Sequence, residues 1–176
     1  MKLRYIQNSY DNSANVYNSR YKKIQYEKYV NALSDINLSG KILDLGSGTG
    51  LLSKFLHHKL ISLDLSYNML TKFEGTKVQA DMANIPFKEN SFDFVLSFSS
   101  LMNSDNIDNT LKEIKRITKK DGRIIISYLN KYDFSDKINN YFKIIKRSNL
   151  FEDELFILEQ KVWIYLDLPI QQVFFQ

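Results

Sequence analysis

The stretch Lys41–Leu52, KILDLGSGTGLL, carries the change of texture on which the fold reading turns. A short apolar run ends in the pair Asp44-Leu45. Glycine then occupies every second position (Gly46, Gly48, Gly50), and a helical pattern opens at Leu51. An apolar run stopped by a glycine turn reads as a buried strand feeding a helix. Glycine in that turn lets the backbone N–H groups approach a ligand at the carboxyl edge of a sheet.

Working outward, Leu60–Leu65 (LISLDL), Thr76–Ala80, Phe92–Phe98 (FDFVLSF) and Arg123–Tyr128 (RIIISY) read as further buried strands. The segments between them, Leu51–His58, Tyr67–Phe73 and Ile107–Thr118, carry helical periodicity, the last with Ile107, Leu111, Ile114 and Thr118 on one face. Alternating strands and helices imply right-handed crossovers and a mostly parallel sheet covered on both faces, an α/β doubly wound fold. After a helical stretch near Tyr132–Asn140, the β-rich segments Tyr141–Arg147 and Glu154–Tyr165 predict an antiparallel C-terminal hairpin, giving seven strands in all. Residues 13–35 hold Val16, Tyr17, Tyr21, Ile24, Tyr29, Val30 and Leu33 at helical spacing, so one or two helices precede the sheet.

The chain has 176 residues, 44% hydrophobic and 25% charged, within the globular range. It shows no repeat and no low-complexity linker, and Pro86 and Pro169 are isolated. One domain is expected over 1–176, with residues 1–40 forming a helical lid and 41–176 a Rossmann-like core. Met1–Asp11 lacks the apolar core of a signal peptide, and no apolar run approaches the ~18 residues of a membrane span, so a cytoplasmic protein with no membrane partner is expected. The absence of Cys excludes disulfides and thiolate metal sites. The only histidines, His57 and His58, would point about 100° apart on a helix and cannot chelate one metal, so they read as solvated helix residues and no metal site is expected.

Chemistry concentrates at the predicted strand ends. A dinucleotide fingerprint needs G-x-G-x-x-G, but counting from Gly46 the sixth position is Leu51, and no P-loop Lys follows. Asp44 would repel a pyrophosphate yet suit an ammonium group. Asp64, at the end of the second strand, can accept hydrogen bonds from ribose hydroxyls. Asp81 closes the third strand beside Met82, placing a carboxylate and an apolar side chain where an adenine could be read. A nicotinamide oxidoreductase fails on Leu51 and on the lack of a catalytic donor.

These residues resemble the class I S-adenosylmethionine (SAM) dependent methyltransferases of the small-molecule type, the methyltransferase type 11 subgroup. LDLGSGTG is similar to the family's first motif, LDLSYNML to its second, QADMANIPFKENSFDFV to its third and fourth, and LKEIKRITKKDGRIIIS to its fifth strand region. Tyr10-Asp11 through Ala14 to Tyr17-Asn18 resembles a Y-D-x-x-A-x-x-Y-D element that lies over the cofactor, with Asn18 replacing its second Asp. The resemblance implies SAM as cofactor. Gly46, Ser47 and Gly48 would line its methionine part, with Asp44 by the ammonium and Tyr17 near the carboxylate. Asp64 would hold the ribose, and Leu65 and Met69 would pack near the adenine. Asp81 would meet the adenine amino group, Met82 would flank the ring, and Ser97 would open toward the sulfonium.

Methyl transfer is a displacement on an activated donor, and holding the reactants in line supplies much of the catalysis, so no catalytic residue is assigned. The N/D-P-P-Y element of amide and amino-nitrogen methyltransferases is absent, the corresponding positions reading Ser97-Phe98-Ser99-Ser100-Leu101-Met102-Asn103. Adenine-N6 and glutamine acceptors are thereby disfavoured. Ser99, Ser100, Asn103 and Tyr10 are candidates for the acceptor pocket.

The net charge of +4 hides a block of eleven basic and four acidic residues over 111–147. Lys112, Lys115, Arg116 and Lys119 recur at helical spacing, which raises an RNA acceptor. That helix returns to the amino edge of the sheet, however, and its basic end complements the helix dipole, so a solvated face is the simpler reading. With little chain left for a private substrate pocket, an open site suits a macromolecular acceptor, or a small protein partner that completes the pocket; the acceptors expected are RNA, protein or a small metabolite, in that order. The apolar Val162–Leu166 and Val173–Phe175 are candidates for that docking edge. A non-catalytic subunit of the same fold is the alternative. Asp64→Ala and Gly46→Arg are expected to abolish SAM binding, measured by calorimetric titration, with the fold retained.

Overall fold

The computed structural model describes residues 2–161, so Val162–Leu166, Val173–Phe175 and the end of the second hairpin strand lie outside the described residues. Seven strands form one sheet: β1 (Ile42–Leu45), β2 (Ile61–Asp64), β3 (Thr76–Gln79), β4 (Phe92–Phe98), β5 (Thr118–Leu129), β6 (Phe142–Leu150) and β7 (Asp153–Gln160). Their order is β3-β2-β1-β4-β5-β7-β6. The first five are parallel, and β7 runs antiparallel to both β5 and β6. Strand order therefore reverses between β1 and β4, the place where doubly wound folds open a crevice at the carboxyl edge.

The helices are α1 (Lys2–Ser13), α2 (Tyr17–Leu33), α3 (Leu51–Leu56), α4 (Tyr67–Leu70), α5 (Ile107–Ile117) and α6 (Ser135–Tyr141). Strand pleating distributes side chains to two cores. Leu43, Leu45, Val95, Ile124, Ile126, Phe156 and Leu158 pack with Leu111, Ile114 and Ile117 of α5 and Ile138 of α6. On the opposite face Ile42, Leu96, Phe98, Ile125 and Ile157 pack with Tyr29, Ala32 and Leu33 of α2 and Leu51 and Leu52 of α3. Among the described residues, no helix is long and apolar enough to cross a membrane.

Local chemistry moves several boundaries from their sequence-based positions. The first helix begins at Lys2, well ahead of residue 13. α3 stops at Leu56 because His57 adopts a left-handed φ of 50°, so His57 and His58 are exposed but follow the helix instead of riding on it. α4 is a single turn, its N-cap Ser66 accepting a hydrogen bond from Met69 N–H. α5 ends at Ile117, and Thr118 begins a strand whose pairing with β4 slips between Phe92 and Phe94. On α2, Val30 is 54% exposed, whereas Lys28 is buried at 1%.

Gly50 shows how tightly the first crossover is built. Its φ is +71°, and a Cβ there would sit 2.4 Å from the Phe73 ring. Gly50→Ala adds left-handed strain and a steric clash together, so it is expected to lower unfolding free energy by about 1–3 kcal/mol in urea denaturation.

Candidate functional site

The glycine loop joins β1 to α3 with left-handed φ values of +76° at Gly46 and +53° at Gly48. A Cβ on Gly46 would lie 2.4 Å from Ser100 Cβ, whereas one on Gly48 would meet nothing within 4 Å. Gly46 thus allows the loop to press on the end of β4, and Gly48 makes the turn beside open space. The loop's N–H groups do not face a ligand as the sequence suggests. Those of Gly46 and Ser47 donate to the Leu63 carbonyl at 2.8 and 3.0 Å, and that of Gly48 donates to Asp64 Oδ2 at 2.8 Å. The loop is laced onto β2. Gly46→Arg consequently disturbs packing as well as any ligand, which makes it a poorer probe than Asp64→Ala.

Asp64 also accepts from Ser66 N–H at 2.8 Å through Oδ1. Burial pushes its carboxyl pKa up, and the N–H groups of Ser66 and Gly48 pull against that shift. The N–H of Leu65 faces the same carboxylate, which still has capacity for a further donor, and Asp64 lines the pocket. Asp44 is only 4% exposed, and its Oδ2 has no hydrogen-bond partner. Burial first, and the charge of Asp64 second, push its carboxyl up to about 8. Ser47 Oγ and Ser62 Oγ, the latter on the residue paired with Asp44 across β2, are buried without partners as well. Such oxygens are uncommon in folded proteins and call for an explanation.

The pocket runs along the carboxyl edge. Gly46 and Gly48 line it from the loop, and Asp64, Leu65, Ser66 and Met69 from the end of β2 and α4. Ala80, Asp81 and Met82 follow β3, and Phe98, Ser99, Ser100 and Asn103 follow β4. Asp81 Oδ1 accepts from Ala83 N–H at 2.9 Å, an Asx turn that fixes the strand end. Of the eleven residues singled out from the sequence, Tyr17, Gly46, Gly48, Asp64, Leu65, Met69, Asp81 and Met82 line this pocket, and Asp44, Ser47 and Ser97 do not. Ser97 is fully buried, its hydroxyl 2.6 Å from that of Ser100, which in turn donates to the Leu45 carbonyl at 3.0 Å.

The helical segment over the pocket is fastened by polar contacts. Leu3, Ile6, Gln7 and Tyr10, at i, i+3, i+4 and i+7 of α1, form one wall. Asn103 Nδ2 donates to the Tyr10 hydroxyl at 2.8 Å. Asp11 Oδ1 accepts from Ser66 Oγ at 2.5 Å and from Asn68 N–H at 3.1 Å, pinning α1 to the first turn of α4. Asn18, which departs from the resembled element, accepts from Thr49 Oγ1 at 2.5 Å and ties α2 to the glycine loop. Burial raises the pKa of both Tyr10 and Tyr17. The site is therefore walled by residues 3–10, where the sequence reading expected a helical lid over an otherwise open site.

A second cluster was missed outright. Lys28 Nζ lies 2.9 Å from Asp153 Oδ1, 2.9 Å from Glu152 Oε1 and 3.0 Å from Ser99 Oγ. Asp153 is fully buried, and its Oδ2 accepts from Ser99 Oγ at 2.5 Å and Ser127 Oγ at 2.6 Å. The available signal was positional: Gln25, Lys28, Tyr29 and Ala32 fall at i, i+3, i+4 and i+7, a buried stripe that includes a lysine.

The basic block disperses in three dimensions. Arg116 donates to the carbonyls of Phe87 and Ile85 at 2.6 and 2.9 Å while pairing with Glu113, so it braces the loop before β4. Lys119 pairs with Asp93 at 2.7 Å at the amino edge, away from the pocket as the sequence reading expects. Arg147 pairs with Glu154, and Lys143 lies 3.8 Å from Glu159. Lys28→Met would leave Asp153 buried without its ammonium partner and is expected to cost about 3–5 kcal/mol of stability in chemical denaturation.

Comparison with known proteins places this geometry. Residues 43–126 match the model of the Methyltransferase domain family. A demethylmenaquinone methyltransferase of Thermotoga maritima is 31% identical over 115 residues, covering 58% of this chain and 50% of the relative. The chain spans about half the length of such curated relatives: 57%, 48% and 50% of three of them. Among solved structures, a chain from the complex between the Haloferax volcanii Trm112 methyltransferase activator and a candidate methyltransferase aligns with a TM-score of 0.78 at 15% identity, covering 87% of this chain and 98% of that one. A SAM-dependent methyltransferase of T. maritima aligns with a TM-score of 0.76 at 17% identity, covering 89% and 100%. Residues 43–126 are thus similar to the methyltransferase-domain family, and the seven-stranded sheet matches the class I methyltransferase fold.

Proposed function

We propose that this chain is a SAM-dependent methyltransferase whose acceptor is a small molecule without anionic groups. The observation that carries the cofactor reading is the set of buried, unpartnered oxygens on Asp44 and Ser47, adjoining a glycine loop that opens at Gly48. A ligand bearing an ammonium and further polar groups would satisfy them. In this reading Asp44, Gly46, Ser47, Gly48 and Tyr17 hold the methionine part. The carboxylate of Asp64 takes the ribose hydroxyls. Leu65, Met69, Asp81 and Met82 receive the adenine, and Ser97 braces Ser100 from behind. The cofactor supplies an activated methyl group, and the chain's own part is to align an acceptor with it and exclude water.

The acceptor reading rests on the pocket wall. Among the described residues it carries Asp64 and Asp81 and no Lys or Arg, which disfavours a phosphodiester chain. Leu3, Ile6 and Tyr10 narrow the opening that a folded macromolecule would need. Of the basic side chains that raised an RNA acceptor, Arg116 is committed to Glu113 and Lys119 to Asp93, at the far side of the sheet from the pocket. A small protein partner forms the second element of the reading. Its support is the Trm112 complex among the structural neighbours and the exposed outer strand β3, whose Thr76, Lys77 and Gln79 are solvent-accessible. The cytoplasm is the expected compartment.

Calorimetric titration with SAM tests the proposal, and no binding at millimolar cofactor refutes it. A proton provides a sharper check. Asp44 is mostly protonated at pH 7 in the free protein, and an ammonium brought beside it favours the carboxylate. Binding at pH 7 should therefore release a proton, seen as a heat that varies with the ionisation enthalpy of the buffer. That proton release should be lost in Asp44→Asn. Because the folded-state pKa is raised, the free protein should also lose stability as pH rises from about 4 to about 8, and Asp44→Asn should flatten that slope.

A further inference from the structure

Ser99 ends β4 in a left-handed conformation, φ +50°, that a non-glycine residue adopts at a cost. It lines the pocket while its hydroxyl and N–H contact other protein groups. Its N–H donates to the Ser127 carbonyl at 3.0 Å and to Ser127 Oγ at 3.2 Å. Its hydroxyl donates to Asp153 Oδ2 at 2.5 Å and accepts from Lys28 Nζ at 3.0 Å. Register places Asp153 opposite Leu129, at the carboxyl edge of β5, so the reversed strand β7 brings a carboxylate to the pocket side of the sheet. Burying Lys28 and Asp153 at 1% and 0% exposure carries a large desolvation cost, and an apolar pair of similar volume would hold helix and hairpin together at least as well. The cluster's position behind one pocket-lining hydroxyl is the feature a purely structural role leaves unexplained.

The other candidate proton acceptors of the pocket have roles in the reading above: Asp64 and Asp81 face the cofactor's ribose and adenine, and the Tyr10 hydroxyl receives Asn103. Ser99 Oγ retains one lone pair beyond the Lys28 contact. We propose that Ser99 is a catalytic residue that takes the proton of the methyl acceptor, with Asp153 and Lys28 as the positioning residues behind it; the acceptor is then a hydroxyl, amine or thiol. This rests on the methyltransferase reading above. As the acceptor's lone pair forms its bond to the methyl carbon, the broken bond leaves its electron pair on the donor sulfur. The acceptor's proton moves to Ser99 Oγ while Ser99 passes its own to Asp153 Oδ2. Lys28 holds the serine oxygen and Asp153 Oδ1 throughout. After product leaves, the proton returns through Ser99 to solvent.

The test uses the full chain. S-adenosylhomocysteine is first titrated calorimetrically into wild type, Ser99→Ala and Asp153→Asn. Alanine tolerates the left-handed conformation as poorly as serine does, so Ser99→Ala isolates the hydroxyl, and it remains informative if Asp153→Asn does not fold. Affinity in Ser99→Ala should stay within about threefold of wild type. Transfer of labelled methyl from SAM is then followed on phenols, primary amines and thiols, with thioethers and tertiary amines as proton-free counterparts. Transfer should be confined to the proton-bearing set and show a solvent deuterium isotope effect. Ser99→Ala should lower kcat about 100-fold or more at similar KM and abolish that isotope effect. The Ser99→Ala/Asp153→Asn double variant should be no slower than the slower single. A cofactor-binding wild type that methylates only proton-free acceptors, or none, overturns the proposal, as does Ser99→Ala activity within threefold of wild type. Failure of the wild type to bind S-adenosylhomocysteine overturns the methyltransferase reading and this proposal together.

Discussion

The fastening of the glycine loop to the second strand is the constraint on which the rest of the site depends. Two N–H groups from Gly46 and Ser47 converge on one carbonyl of Leu63, and Gly48 binds the carboxylate of Asp64. This fixes where β1 stops, how close the loop comes to Ser100, and where α3 can start. It also holds Asp64 with both oxygens engaged yet able to accept more. Because Gly46 has no side chain, the ends of β1 and β4 can approach at the switch point of the sheet, which opens the crevice between them.

Charge is handled differently at the two ends of that crevice. Near the loop, Asp44 is buried without a cation, and its carboxyl responds by holding a proton. Near β5 and β7, Asp153 is buried with Lys28 touching it and two serine hydroxyls donating to it. Oδ2 of one carboxyl has no hydrogen-bond partner among the described residues; the other carboxyl has its partner supplied by α2. The two arrangements share one electrostatic rule: a buried carboxylate needs a counter-charge or hydrogen-bond donors, or else it is neutral.

Much of the fold was legible because strand and helix periods differ and because glycine turns interrupt them cleanly. β4 was read to the residue, and β1, β2 and β3 to within one or two, since β1, β2 and β4 are short apolar runs and Gly75 and Asp81 bracket β3. The misplacements have local causes: a left-handed His57 ends α3 early, and the slip between Phe92 and Phe94 lets strand pairing extend back to Thr118. α1 lay within the helical lid expected over residues 1–40 but its bounds were not legible, because its pocket-facing residues Leu3, Ile6, Gln7 and Tyr10 are interleaved with polar ones and make no dense apolar stripe. Lys28 and Asp153 were invisible for a deeper reason. Each is 125 residues from the other, and each alone reads as a solvated charge.

The sequence by itself determined the alternation of strands and helices, the glycine turn and the three aspartates at successive strand ends, because these are local patterns whose period and spacing are written in neighbouring residues. Tertiary structure alone decided which groups remain available for chemistry. It committed the loop's N–H groups to Leu63 and Asp64, turned Arg116 inward to the carbonyls of Ile85 and Phe87, and left Asp44 Oδ2 without a partner among the described residues. It also set a lysine and an aspartate behind Ser99. Availability is a property of what surrounds a group in space, and the partners that decide it here come from strands and helices far apart in the chain.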